Sequence, residues 1–300
     1  MKVVQYDDVE WKRGLQHRGG MFHFRHLLNG TPGTIGNFQF NVGHQEGDFA
    51  SPRHRHNFDQ FRIQLEGTMN FDRNGKMAPG CVGYFPEGAP YGPQTSEGSS
   101  ITAVLQFGSA SGQGYLSREE VQAGTEELKK FGSFEGGLYR RNDDVEGRRQ
   151  TDGYQAIWEH AHGERMEYPQ PRYRDPIMLD PANYEWLPVA GMPGVSEKPL
   201  GTFTERQCGA SIIKLTRGAT YRAGARSIYL VLSGSGIAYD APYRKYTAFH
   251  VDDGDEADIV ARDETQIVCL TLPDLSGLQA QRPAPNRHAA VVLSLAGQGA

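Results

Sequence analysis

Residues 51–67 read SPRHRHNFDQFRIQLEG, and the alternation within this stretch decides the fold. In an extended strand successive side chains point to opposite faces, so His54 and His56 share a face and offer two imidazoles to one ion. Gln60, Arg62 and Gln64 continue that parity if no bulge intervenes, drawing a polar line along an inward face. A buried Arg62 is costly unless a carboxylate answers it. That partner is either an anionic substrate or one of two nearby acids, Asp59 and Glu66, which would make the arginine a structural brace.

Around this stretch lie further short strand-like runs closed by turn residues: TIGNFQFNV before it, and TMNFDR, KMAPG, VGYFPEG and ITAVLQF after it. Asn74-Gly75 between two such runs predicts a hairpin, because both residues tolerate the positive φ of a type I′ turn. The chain holds 37 glycines and 17 prolines in 300 residues, above the roughly 12% of ordinary usage. That punctuation of β-branched and aromatic runs predicts an all-β architecture. Phe38, Phe40, Phe61, Tyr84 and Phe85 read as core of a small barrel rather than as pocket walls.

A different texture follows. Ser117 and Glu120 in SREEVQAGTEELKKFG predict an N-cap and its capping-box partner, opening a polar, solvated linker helix that ends near Gly132. Residues 133–172 read as an interdomain excursion or a lid, with one or two helical turns at WEHAHGER. From Pro176 the β texture resumes through GASIIKLTRGATYRAGA, RSIYLVLSGSGIAYD and TQIVCLTLP, and IYLVLSGSG can be laid on FRIQLEGTM. A duplicated β-barrel is predicted, with boundaries at 1–112, 113–172 and 173–282 and an unassigned tail at 283–300.

Composition narrows the function classes. A net charge of -5 and the absence of any Lys/Arg run longer than two exclude a nucleic-acid footprint. Cys81, Cys208 and Cys269 form no CxxC pair, which fits neither a disulfide framework nor a thiolate zinc site and points to a reducing compartment. The first residues, MKVVQYDDVEWKRG, lack an apolar signal-peptide core, and no stretch approaches the ~18 apolar residues of a membrane helix. A cytoplasmic, soluble protein without a membrane partner is expected. His17, His23, His26, His44, His160 and His162 read as surface or core residues, and the HxH spacing of His160 and His162 is not assigned a metal.

With these residues in hand, the sequence resembles the cupin superfamily, whose two motifs are GxxxxxHxHxxx(x)ExxxxxxG and GxxxxxPxGxxHxxxN. The first appears as Gly47, His54, His56 and Gly67, with one extra residue before the histidines and Gln60 in place of the glutamate. The second appears as Gly80, Pro86 and Gly88, with Tyr91 in place of the third histidine. The resemblance covers residues 33–108 and, more weakly, 200–273. It implies two jelly-roll barrels joined by a linker with a short helix. In the second barrel the corresponding positions are Tyr221, Ala223, Ser227 and approximately Ala257, so the resemblance implies one candidate centre, in the N-terminal barrel. HRHNFDQFRIQLEG is also similar to the first motif of gentisate-type ring-cleaving dioxygenases, through His54, Arg55, His56, Arg62, Glu66 and Gly67. That similarity implies one Fe(II) per chain, a hydroxylated aromatic acid and O2.

The expected metal set is therefore His54, His56, Gln60 and Tyr91, with Arg62 and Gln64 binding substrate. Losing the carboxylate and one imidazole lowers affinity, because a phenol binds well only when ionised or held close. Nitrogen-rich neutral donors suit Fe(II), Cu(II), Ni(II) or Zn(II) better than Mg(II) or Ca(II). Three functions stay open: an Fe(II) oxygenase of a small anionic, aromatic substrate; a metal-dependent lyase or isomerase in which Tyr91 is the catalytic acid or base, assisted by Arg62; and a non-catalytic small-molecule-binding bicupin. Strand edges left by two barrels suggest a homodimer.

Overall fold

The structure, a computed structural model, describes residues 1–14, 22–47, 49–73, 75–96 and 98–278. His17, Asn74 of the expected turn and the 283–300 tail lie outside the described residues. Two seven-stranded antiparallel sheets dominate the chain. The first runs, in spatial order, Ile177–Leu179, Val82–Phe85, Asp59–Glu66, Ser100–Phe107, Phe38–Gln45, Phe22–Asn29 and Lys12–Arg13. The second runs Lys2–Val4, Ala248–Val251, Ser227–Ser233, Thr265–Thr271, Gly209–Leu215, Val195–Thr202 and Leu187–Pro188. The all-β, two-barrel architecture is as expected.

The period of two explains how the sheets pack. In the 59–66 strand, Phe61 and Ile63 face one way and Gln60 and Arg62 the other. The apolar side meets the second sheet: Phe61, Ile63, Tyr84 and Phe107 share one core with Phe203, Ile212, Leu230 and Val268. Tyr84 stacks on Phe203 with ring centroids 4.7 Å apart. The polar side faces into the N-terminal barrel. Phe38, Phe40, Phe61 and Tyr84 are thus core residues, as expected, and Phe85 packs with Met77 and Tyr91 in a smaller cluster.

Strands cross between the two units, so the boundaries drawn from sequence need correction. Lys2–Val4 pairs with Ala248–Val251 of the second sheet, Val3 opposite Phe249. Ile177–Leu179 pairs with Val82–Phe85 of the first, Ile177 opposite Tyr84. Each sheet is therefore completed by chain assigned to the other unit.

The interior of the second barrel is solid. Tyr229 and Phe249 stack at 5.0 Å, packed against Ile213, Val231, Ile259 and Ile267. Ala223 lies opposite Ala257, and these methyl groups offer no ligand atom.

The 113–172 segment is not a solvated linker. Helix α1 (Arg118–Leu128) starts on the expected capping box: the Ser117 amide donates to the Glu120 carboxylate at 2.6 Å, and the Glu120 amide donates to Ser117 Oγ at 3.2 Å. It ends at Lys129, before Gly132. Its buried side carries Val121, Thr125 and Leu128. Gly124 allows close approach to helix α2 (Gly153–His162), because a Cβ there would lie 2.8 Å from Ile157. Helix α2 is longer than the turn or two expected; Asp152 caps it and Gly163 ends it in the left-handed region. Both helices join Phe58 and Tyr115 in a third core, which seats them over the N-terminal barrel. No helix among the described residues is long and apolar enough to cross a membrane.

Candidate functional site

Four side chains of the first barrel converge on the phenol oxygen of Tyr91. His54 Nε2 lies 3.0 Å from it and His56 Nδ1 3.2 Å. Gln60 Nε2 donates to it at 3.0 Å and Arg62 Nη2 at 2.9 Å. The backbone explains the convergence. His54 and Tyr91 form an isolated antiparallel bridge, each exchanging its amide and carbonyl with the other at 2.9–3.0 Å. Gln60 and Arg62 reach in from the adjacent strand with the parity read from sequence.

The tautomer of His54 follows from its other nitrogen. Nδ1 lies 2.6 Å from the Pro52 carbonyl, which only a protonated Nδ1 can satisfy, so Nε2 presents its lone pair to the centre. His56 stacks on Phe58 with centroids 4.4 Å apart, which fixes the ring plane. Its Nδ1 is 2.6 Å from Gln60 Nε2. Arg62 Nη2 also donates to Gln60 Oε1 at 3.2 Å, and its guanidinium carbon sits 4.4 Å from the Phe85 ring centroid.

The donor set fits a first-row transition ion. Ligands bound about 2.1 Å from one ion stand roughly 3 Å apart, and the two imidazole nitrogens stand 3.0 and 3.2 Å from the phenol oxygen. The set supplies two imidazole nitrogens and one oxygen, the donor types of the two-histidine, one-carboxylate sites of non-haem iron, with phenol replacing carboxylate. Gln60 is a further donor once its amide presents oxygen.

These residues form the floor of a cavity of about 190 Å³. Phe24, Phe49, Phe58 and Tyr154 supply aromatic walls, and Gln39, Asn41 and Gln106 supply amides. Among the described lining residues there is no acid, and the charged side chains are Arg62 and Arg118. Tyr154 and Val121 come from the two helices, so the 113–172 segment does cover the first barrel.

Two expectations fail on geometry. Gln64 does not line the cavity: its amide donates to the Glu66 and Gly67 carbonyls at 2.8 and 3.2 Å and accepts from Thr102 Oγ1 at 3.0 Å. It clasps the strand end and is not available to substrate. Nor do Asp59 and Glu66 brace Arg62. Asp59 has odd parity and faces the inter-barrel core, and Glu66 Oε1 accepts from Tyr246 at 3.3 Å. His162 Nδ1 is 2.9 Å from the Trp158 carbonyl of its own helix.

Sequence reasoning missed a buried acid pair behind the centre. Asp59 and Glu87 are each 1% exposed. The Glu87 amide donates to Asp59 Oδ1 at 2.7 Å. Glu87 Oε1 accepts from Arg172 at 2.9 Å and from the Ser111 amide at 3.1 Å. Arg172 continues to Glu205 of the second barrel through Nε at 2.7 Å and Nη2 at 2.5 Å. Burial, then the neighbouring Glu87, pushes the Asp59 carboxyl up to about 7. The hydrogen bond from Arg172 holds Glu205 down at about 2. The partners lie 28, 85 and 33 residues apart, with no local pattern to reveal them.

No protein-family model matches the sequence, and a search of curated proteins finds no match. Solved structures do match in fold. A protein of Nostoc punctiforme provisionally named a dioxygenase superposes with a TM-score of 0.62 at 13% identity, over 95% of this chain and 85% of that one. Oxalate decarboxylase of Bacillus subtilis, in a form carrying a single tryptophan-to-tyrosine substitution, gives 0.51 at 13%, over 97% and 83%. Vicilin of hazelnut, Corylus avellana, gives 0.51 at 15%, over 92% and 86%.

Proposed function

We propose that this chain, which has the two-barrel cupin fold, is a transition-metal enzyme whose active centre lies in the N-terminal barrel and which oxygenates a small anionic aromatic substrate. The observation that carries the reading is the convergence of His54 Nε2 and His56 Nδ1 on the Tyr91 phenol at 3.0 and 3.2 Å. Fold alone carries no chemistry; the donor set and the aromatic cavity above it do. An ion held by His54, His56 and Tyr91, iron first among the candidates, would supply Lewis acidity and, with open positions, a meeting point for substrate and O2.

The chain's own residues have separable tasks. Pro52 fixes the His54 tautomer, and Phe58 fixes the plane of His56. Arg62 and Gln60 donate to Tyr91 Oη, so both stabilise negative charge on that oxygen. The aromatic walls and the two helices exclude water from the ring of a bound substrate. A cavity of about 190 Å³ exceeds the roughly 150 Å³ that accommodates benzene, which suits one substituted ring.

The hydrogen bond between Tyr91 and His54 supports a second reading, in which Tyr91 moves a proton in a lyase or isomerase on the same scaffold. Anaerobic turnover separates the two.

The primary test is metal analysis of protein purified without an affinity metal column, beside His54→Ala/His56→Ala. Near-stoichiometric iron, copper, nickel or zinc, lost in the variant, is expected, followed by O2 uptake with hydroxybenzoates. A native protein that takes up no metal even after anaerobic reconstitution with Fe(II) refutes both metal-dependent readings.

A further inference from the structure

The cavity has two cationic groups, and they are differently engaged. Arg62, at the floor, directs Nη2 to Tyr91 and Gln60. Arg118, the first residue of α1, lines the same cavity. Its guanidinium carbon lies 4.4 Å from the centroid of Phe24. Among the described residues it makes no hydrogen bond or ion pair, although burial is the largest influence on it and lowers its pKa. A half-buried guanidinium facing a cavity whose described lining holds no acid has no bidentate acceptor among the described residues. Phe24 offers it an aromatic face, which stabilises the cation but leaves its in-plane N–H groups directed outward.

We propose that Arg118 holds the carboxylate of the substrate, so that the site takes an aromatic monocarboxylate whose acid group is gripped from the helical cover while its ring reaches toward His54, His56 and Tyr91. This names the substrate class of the site described above and rests on that reading. The role expected for Arg62 changes accordingly: it positions Tyr91, and the substrate anion is recognised by a residue outside both sequence motifs. The volume supports one ring with one small anionic substituent. Because Arg118 sits at the start of α1, the positive end of the helix lies on the same side as the anion, and a bound carboxylate links the helical cover to the barrel.

The test uses binding, so it does not depend on turnover. Benzoate and its neutral isostere benzamide are titrated calorimetrically into metal-stripped full-length protein at 0.15 M salt. Wild type is expected to prefer benzoate at least tenfold. Arg118→Gln should bring the two affinities together chiefly by weakening benzoate, and Arg118→Lys should fall between, because an ammonium keeps the charge but not the fork. In wild type, benzoate should also protect Arg118 from phenylglyoxal, read by peptide mass spectrometry, which requires no variant to fold. A benzoate preference unchanged in Arg118→Gln, no preference in wild type, or no protection of Arg118 overturns the inference. Charge-selective binding through Arg118 in a protein that takes up no metal sinks the metal-dependent readings alone. Metal-dependent turnover with an indifferent Arg118 sinks this inference alone.

Discussion

Asp59→Asn should remove a loss of stability that the wild type suffers as pH rises through the acid-to-neutral range. The native carboxyl is pushed up from 3.8 to about 7 by burial and by Glu87. Between those values the folded protein holds a proton that the unfolded chain has released. Stability contributed by that proton is complete below pH ~4, drains away as pH rises toward 7 and is gone above it. At 1.36 kcal/mol per pH unit the full excursion is up to roughly 4 kcal/mol. Asparagine keeps the oxygen that accepts from the Glu87 amide at 2.7 Å and removes the titration. The variant should therefore gain on wild type as pH rises from 5 to 8.5, and the gain should level off above neutrality. Urea unfolding at half-unit pH intervals measures this, with the difference between the two proteins cancelling every titrating group not coupled to Asp59 and leaving the titration of the Asp59–Glu87 pair. Parallel curves would refute the reasoning, since Asp59 would then titrate alike in both states. The opposite slope would mean that the carboxylate is stabilised by Arg172 more than it is opposed by Glu87 and burial.

The same cluster and the turn after the motif strand yield two further expectations. Arg172→Ala should cost about 3 kcal/mol, because it strips the guanidinium from a Glu87 that is 1% exposed, whereas Glu205→Ala, at a carboxylate 62% exposed, should cost under about 1 kcal/mol; equal losses in chemical denaturation would mean that the exposed half carries the bridge. Gly67→Ala should cost at least about 2 kcal/mol, since Gly67 has φ +66° and its Cβ would stand 2.3 Å from the Ser99 carbonyl; a variant with an unchanged unfolding midpoint would show that the turn after the motif strand relaxes freely.

What the sequence discloses follows the range over which each feature is written. Strand parity is a local property, and within Asp59–Glu66 it correctly places Gln60 and Arg62 on one face; His54 and His56 precede that strand, beyond a bend at residues 57–58, and reach the same centre through the His54–Tyr91 bridge rather than through an unbroken alternation. The same logic fails at Gln64. Parity sets the direction of a side chain, but the carbonyls that Gln64 meets at Glu66 and Gly67 belong to the strand end, where turning backbone offers better partners than the cavity. The capping box of α1 is equally local and correctly starts the helix. What α1 packs against depends on Gly124 meeting Ile157, a contact that no pattern within either helix specifies, so the helix reads in sequence as a polar linker. Pairing of Lys2–Val4 with Ala248–Val251 and of Ile177–Leu179 with Val82–Phe85 is invisible for the same reason.

Arg118 joins these two kinds of information. Its place at the first position of a capped helix is legible, yet its chemistry exists only because long-range packing swings that helix over the first barrel. On the proposed function, the motifs would supply the metal-facing half of the site and leave the anion-facing half to the segment whose texture looks least informative. A fold shared by structures named dioxygenase, oxalate decarboxylase and vicilin needs some such division. The barrel floor constrains what kind of atom is held. The variable cover constrains which molecule presents it, and substrate selectivity in this chain should therefore respond to changes in α1 while metal affinity responds to changes at residues 54, 56 and 91.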